Sequence, residues 1–408
     1  MPGSLPFTGN VAAFGIKNSS GGLNSTASGI AVQDNESTDC QNCDFDKFGA
    51  IVKRNGYSQL NTTAFNSGAV WNSLYWYELS DGSQYLIGTC GDKIAQTSTL
   101  TQTAIPFTDI TGALTVTAGN NNFVSWATHL DTAIGTNGVD VPFIWTATGN
   151  ASAMTVPTRL TTPKFVTIFS NYTFLANVAV SGTSHKSRLY WSTIDSISAW
   201  SSSDFRDISK NDGQEITGIK PLGSNLVVFK NRSIWIGSFT GDSDIPFVFQ
   251  RTPSSVGCDS PFSIQEVANG LIFHASDGFY FFDGNNSQKI SEKISDTLED
   301  FGTNRYAYIT SCYQRVKNRY ISSFTSSGNT THNRNITWDS FNNSFSFYKG
   351  INANCYAIVT LNGEERVYFG DYSGFVYRAD TGTNDNPSGT QTAIDFYYYT
   401  KWFNFDDL

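Results

Sequence analysis

The chain has 408 residues, of which 39% are apolar and 14% aromatic, with 31 Phe, 19 Tyr and 9 Trp against 2 Met. A chain of this length can bury a large core, and aromatic side chains must supply much of it, a composition that favours strands. The net charge of −9 argues against a protein that wraps nucleic acid, because Lys and Arg must neutralise phosphates for that, and no apolar run is long enough to span a bilayer.

Residues 1–66 read as an extended polar arm in which short apolar runs alternate with Gly, Asn and Ser, so its small strands must pack on something larger. The first residues have neither a basic start nor a long apolar middle, so no cleaved export signal is expected.

From about residue 67 to 383 a hairpin signal recurs. Its first unit has strands near 75–79 and 85–87 around Asp81-Gly82, and the second has strands at 123–127, 133–134 and 141–145. The third runs 165–169, 173–178 and 187–191, and the fourth 226–229, 233–236 and 247–250. The fifth is the clearest: LIFHASDGFYFFDGNNSQKI, residues 271–290, holds two aromatic runs joined by Asp277-Gly278, a dipeptide suited to a tight hairpin turn, and turns again at Asp283-Gly284. The sixth covers 306–313, 320–324, 335–338 and 345–348, and the last 357–361, 366–369 and 375–378. Turns near 81, 130, 170, 230, 277, 318 and 362 are about 40 to 60 residues apart, the period of four-stranded propeller blades. The expected fold is an all-β propeller of seven blades with an extended N-terminal arm; six blades and one irregular hairpin is the alternative. A short helical turn is expected at 295–301. Residues 384–408 contain IDFYYYTKWFNF, a strand too aromatic to be solvated, which should pack on another part of an assembly unless the chain continues past Leu408.

Chemistry-bearing spacings are sparse. Phosphate-loop, HExxH and GxSxG patterns do not occur, and the four histidines fall in different units. Six scattered cysteines read as free thiols, and Cys40 with Cys43 lacks the second pair that a structural zinc needs. The acidic stretches 242–244 and 384–386 read as solvated turns before calcium loops. The Asn-x-Ser/Thr sequons, including Asn24, Asn61, Asn171, Asn231 and Asn335, read as turn-rich sequence before glycosylation sites. Carboxylates concentrate at turns, so no catalytic residue, cofactor or metal ligand is assigned. A carbohydrate-binding or glycoside-cleaving propeller, whose aromatics would stack on sugar rings, is the alternative function.

One resemblance spans most of the chain. Gly22-Leu23-Asn24, Asp39, NCDFDKFGA at 42–50 and KRNGY at 53–57 resemble the start of β-propeller tail hub or nozzle proteins, the packaged-DNA stabilisation proteins of short-tailed bacteriophages. RLYWS at 188–192 with Trp200, LVVFKNRSIW at 226–235, the 271–290 stretch, GDYSGFVY at 370–377 and TKWF at 400–403 extend the likeness. It implies a non-enzymatic virion protein, assembled in the host bacterial cytoplasm. Such a protein forms a hexameric ring below the portal or head-to-tail adaptor, continues the DNA channel, retains the genome until ejection and offers attachment surface to tail fibres or spikes. DNA would pass without sequence recognition, and no part would insert in a membrane. The motif residues so marked for structure and assembly are Gly22, Leu23, Asn24, Asp44, Phe45, Asp46, Gly49, Lys53, Arg54, Gly56 and Tyr57.

Overall fold

A strand buried on both faces needs apolar residues at successive positions, and Leu226, Val227, Val228 and Phe229 of Asn225–Lys230 meet that condition. Leu226 and Val228 pack to one side with Phe174, Trp191 and Ile219, whereas Val227 and Phe229 pack to the other with Leu271 and Phe273. The sheet containing this strand is therefore a layer between two neighbours. The structure, a computed structural model describing residues 16, 18–46, 48–98, 100, 104–299 and 303–403, repeats that layer seven times, each as a four-stranded antiparallel sheet.

Blade 1 holds Trp71–Glu78, Gln84–Cys90, Lys93–Thr97 and Thr108–Asp109; blade 2 holds Ser125–His129, Thr132–Thr136, Phe143–Trp145 and Ser152–Ala153. Blade 3 has the longest strands, Leu160–Phe169, Tyr172–Val180 and Thr183–Trp191, with Phe205–Asp207 outermost. Blade 4 comprises Ile216–Leu222, Asn225–Lys230, Ile234–Phe239 and Phe247–Arg251; blade 5 comprises Gln265–Val267, Gly270–Ala275, Gly278–Phe282 and Ser287–Lys289. Blade 6 contains Thr310–Gln314, Arg319–Phe324, Arg334–Asp339 and Ser344–Tyr348. The fold is thus a seven-bladed β-propeller whose hydrophobic clusters lie between successive blades and whose first strands line a common axial channel.

Blade 7 is made from both halves of the sequence. Cys355–Leu361, Glu364–Gly370 and Val376–Ala379 supply three strands, and Tyr57–Gln59 adds the fourth, with Tyr377 opposite Gln59 and Ala379 opposite Tyr57. Residues placed with the arm by the sequence therefore close the ring. The C-terminal strand Tyr397–Thr400, expected to pack elsewhere in an assembly, pairs antiparallel with Glu36–Gln41 of its own chain.

Local differences have physical causes. In blade 5, Ala275 pairs with Gly278, so the turn is Ser276-Asp277 and lies one residue earlier than Asp277-Gly278. Gly278 is still required: its φ is +144° and a Cβ there would come 2.3 Å from Ser291 Oγ. The helical turn is Ser295–Glu299, and the rest of the expected 295–301 segment lies outside the described residues.

Candidate assembly site

The arm residues that carry the resemblance fall along one seam, where the arm crosses the outer edges of blades 6 and 7. At its start Gly22–Leu23 runs parallel to Glu36–Gln41, and with Tyr397–Thr400 they make a three-stranded sheet. Gly22 lies so close to blade 6 that a Cβ would stand 2.7 Å from the Phe345 carbonyl oxygen, and its φ is +69°. Leu23 is buried in a cluster with Cys40, Cys43, Phe45, Phe279 and Phe345, which joins arm, blade 5 and blade 6. Asn24 donates to Glu36 at 2.8 Å, and Lys293 reaches the other oxygen of that carboxylate at 2.8 Å. Burial works against the Glu36 charge, but Lys293 and Asn24 more than offset it, and its pKa is held below the usual value.

Next comes a hairpin, Cys43–Phe45 with Ile51–Lys53. Asp46 caps its turn by accepting from the Phe48 and Ala50 amides, both at 2.8 Å, while Gly49 takes a φ of +81° against Asn18. Asp44, Phe45, Asp46 and Lys53 line a groove of about 510 Å³ between this hairpin and the turns of blade 6. Its floor is a charge network: Asp44 accepts from Arg319 at 3.0 Å and from the Tyr348 hydroxyl, and Arg319 also pairs with Asp380, which Lys317 approaches at 3.0 Å. Burial disfavours the Arg319 charge, yet Tyr348, Asp44 and Asp380 hold its pKa above the ordinary value. Asp380 is correspondingly lowered, with Arg319 and Lys317 overcoming the effect of its burial. Exposed Val52, Val316 and Phe341 also line this groove.

The seam ends in a buried clamp. Arg54, 2% exposed, donates from Nε to Asn42 at 2.8 Å, to the Asn55 and Lys349 carbonyls at 3.0 Å each, and to both oxygens of Asp385 at 2.8 and 2.7 Å. Asp385, assigned by sequence to a solvated turn, is therefore the arm's counter-ion, 331 residues away in the chain. Gly56 passes so close to Asn384 that a Cβ would sit 1.8 Å from its carbonyl oxygen, and Tyr57 packs edge-on against Phe369 and Tyr377. Lys53 donates to the Thr383 carbonyl at 2.9 Å. The sequence marked one side of these contacts; Arg319, Asp380 and Asp385 lie 61 to 331 residues from their partners, too far for any spacing to reveal, and Glu36 takes its cation from Lys293 of the propeller.

Other expectations can be placed. All six cysteines are free and buried; Cys43 donates to the Tyr397 carbonyl at 3.1 Å, and Cys40 beside it together with burial pushes its pKa up strongly. Asn61 and Asn335 are buried, so those two sequons are closed to glycosylation. Among the described residues no three His, Cys, Asp or Glu side chains converge as a metal cage. Among the described residues no Asp or Glu lines the axial cavity, and in the groove Asp44, Asp46 and Asp339 are each engaged in the network or in turn capping.

The outer edge of this seam is open. Tyr397–Thr400 is the last strand of its sheet, so among the described residues its far side carries no ladder. Tyr399 and Trp402 beside it are 59% and 71% exposed. Exposed edges of this kind are pairing templates for other chains.

No family model matches the chain, and no curated protein matches it. Among solved structures it is similar to YCF48, determined bound to a D1 peptide: 10% identity over 81% of this chain and 97% of that one, with a TM-score of 0.50. It is also similar to PorZ, a bacterial surface component of the type-IX secretion system of Porphyromonas gingivalis, at 12% identity and a TM-score of 0.48, covering 83% of this chain and 39% of PorZ. The computationally designed Ika8 protein matches at 10% identity and a TM-score of 0.46, covering 80% of this chain and all of Ika8. At such identity the likeness to YCF48 shows the fold alone.

Proposed function

We propose that this chain is a structural subunit of a short-tailed bacteriophage tail, a hub or nozzle protein that assembles as a hexameric ring beneath the portal or adaptor. The observation that carries the reading is the open edge at Tyr397–Thr400, with Tyr399 and Trp402 beside it, held on the propeller by the arm whose motifs bear the resemblance. A propeller suits the role because rigid blades leave loops and rim free for partners, here the adaptor on one side and fibres or spikes on the other. DNA would run through the centre of the ring and not along the propeller axis: a cavity of about 450 Å³ lined by side chains cannot admit a duplex whose major groove alone is about 12 Å wide. Each subunit brings a charge of −9, so the passage repels phosphates more than it grips them, which favours release.

Light scattering and electron microscopy of purified protein with its adaptor test this. Six-fold rings support the reading, and a monomer at high concentration with adaptor present removes it. The alternative, a carbohydrate-binding or glycoside-cleaving propeller, draws on the Tyr397 and Tyr399 rings, 5.2 Å apart on one face of the terminal strand. Binding on a glycan array or turnover in a hydrolysis screen would favour it.

A further inference from the structure

The axial channel has the makings of a ligand site. Its volume of about 450 Å³ falls within the range of small-molecule pockets, about 300–1,000 Å³, and every blade contributes to its wall. Much of that wall is aromatic. Tyr75 stacks on Trp126 with centroids 5.9 Å apart and planes 10° from parallel. The polar tips of these rings are already satisfied inside the blades: the Tyr75 hydroxyl pairs with Thr128 at 2.9 Å, Trp126 donates to Ser73 at 2.9 Å, and the Tyr356 hydroxyl is held by Ser323 and Asn335. What the rings can offer a ligand is apolar surface.

Lys220 is the one charged side chain in this lining. It is open to water in the channel yet surrounded by protein, and that enclosure pulls its ammonium pKa below the usual value, against the opposing influence of Glu266 on the next blade. Its ammonium makes no ion pair or hydrogen bond with any described residue. Ten residues on, Lys230 shows how the same blade treats an ammonium that serves structure: fully buried, bound to both oxygens of Asp212 at 2.7 Å and to the Ile208 carbonyl at 2.8 Å. An ammonium that faces the channel without such partners keeps its three donors available to an incoming anion.

We propose that the axial channel binds a small aromatic monocarboxylate, its carboxylate on Lys220 and its flat body against the Tyr75, Trp126 and Tyr356 walls. One cation with Glu266 close by suits a single negative charge better than a phosphate cluster.

The probe is 2-naphthoate, with uncharged 2-naphthamide as control, titrated into the full chain by calorimetry and tryptophan fluorescence. The expected result is saturable one-to-one binding of the acid with quenching, at least tenfold weaker binding of the amide, and loss of that difference in Lys220→Gln. Because Lys220 has no structural partner, the variant should melt with the wild type. The acid and amide comparison on the wild type decides the matter even if it does not. Absence of saturable binding, equal affinity for acid and amide, or full affinity in a folded Lys220→Gln would overturn the proposal.

Discussion

Blades 3 and 7 have the same four-strand plan and are held together differently. Blade 3 is contiguous, its first three strands joined by two-residue turns, and its main ion pair, Arg188 with Asp207 at 2.7 Å, links neighbouring strands of one sheet. Blade 7 takes its outer strand from residues 57–59 and its clamp from Arg54 and Asp385, so it cannot form until the chain ends meet. Local order is inexpensive because few residues must be closed into a loop, whereas joining distant segments needs buried, well-satisfied contacts to offset the lost entropy. The concentration of buried charge on the arm seam follows from that difference.

The comparison can be broken most strongly at Arg54. Arg54→Ala strands the Asp385 carboxylate and should cost about 3–5 kcal/mol in urea unfolding, while Arg188→Ala, at a partly exposed pair, should cost about 1–2 kcal/mol. Equal losses would mean that the clamp is no stronger than a within-blade pair. Glycine replacements sharpen the contrast. Gly56→Ala forces a methyl against the Asn384 carbonyl and should cost about 3 kcal/mol. Gly182→Ala, in a blade 3 hairpin with open space around it and a φ of +76°, should cost only about 1–2 kcal/mol.

Acid gives the next effect. Burial lowers the pKa of His274 and His332 to about 3 each, far under the unfolded value of about 6.5. The folded state therefore binds fewer protons between those values, and stability should fall as pH drops from about 6.5 toward 3, by at most about 2.7 kcal/mol per pH unit when both act. Below about pH 4 the lowered carboxyls of Glu36 and Asp380 add to the loss and weaken the seam in particular, while Asp259, Asp339 and Asp371, raised by burial, oppose it. Urea titrations at pH 7.5 and 5.5 should show the drop, and His332→Gln should reduce it. The smallest effect on stability belongs to the open edge: Tyr399→Ser and Trp402→Ser should change folding by no more than about 0.5 kcal/mol yet abolish ring formation with the adaptor. If rings form unchanged, the edge is not the assembly surface.

Much of the disc was legible because the middle strands of a blade are buried on both faces and read as apolar runs, as LVVF at 226–229 and FYFF at 279–282 do. The inner strands were harder. Ile216–Leu222 contains Gly218 and Lys220, which line the channel, followed by Pro221, and the three-residue Gln265–Val267 carries the exposed Glu266, so neither stands out as apolar. Outer strands such as Thr108–Asp109 and Ser152–Ala153 are only two residues long and exposed. At the seam, KRNGY was visible as a motif but its purpose was not: Arg54 finds its carboxylate, and Tyr57 its strand partner, only after the seven blades have brought the two ends of the chain together.

Native-state hydrogen exchange on the full chain, read at Tyr57–Gln59 and at the blade 3 strand Tyr172–Val180, tests most directly whether the arm is the fastening of the ring. The arm amides should exchange as slowly as the blade 3 strand in the wild type and become faster, alone with the rest of blade 7, in Arg54→Ala. Rapid exchange of residues 57–59 in the wild type, with the remainder of blade 7 protected, would contradict the account.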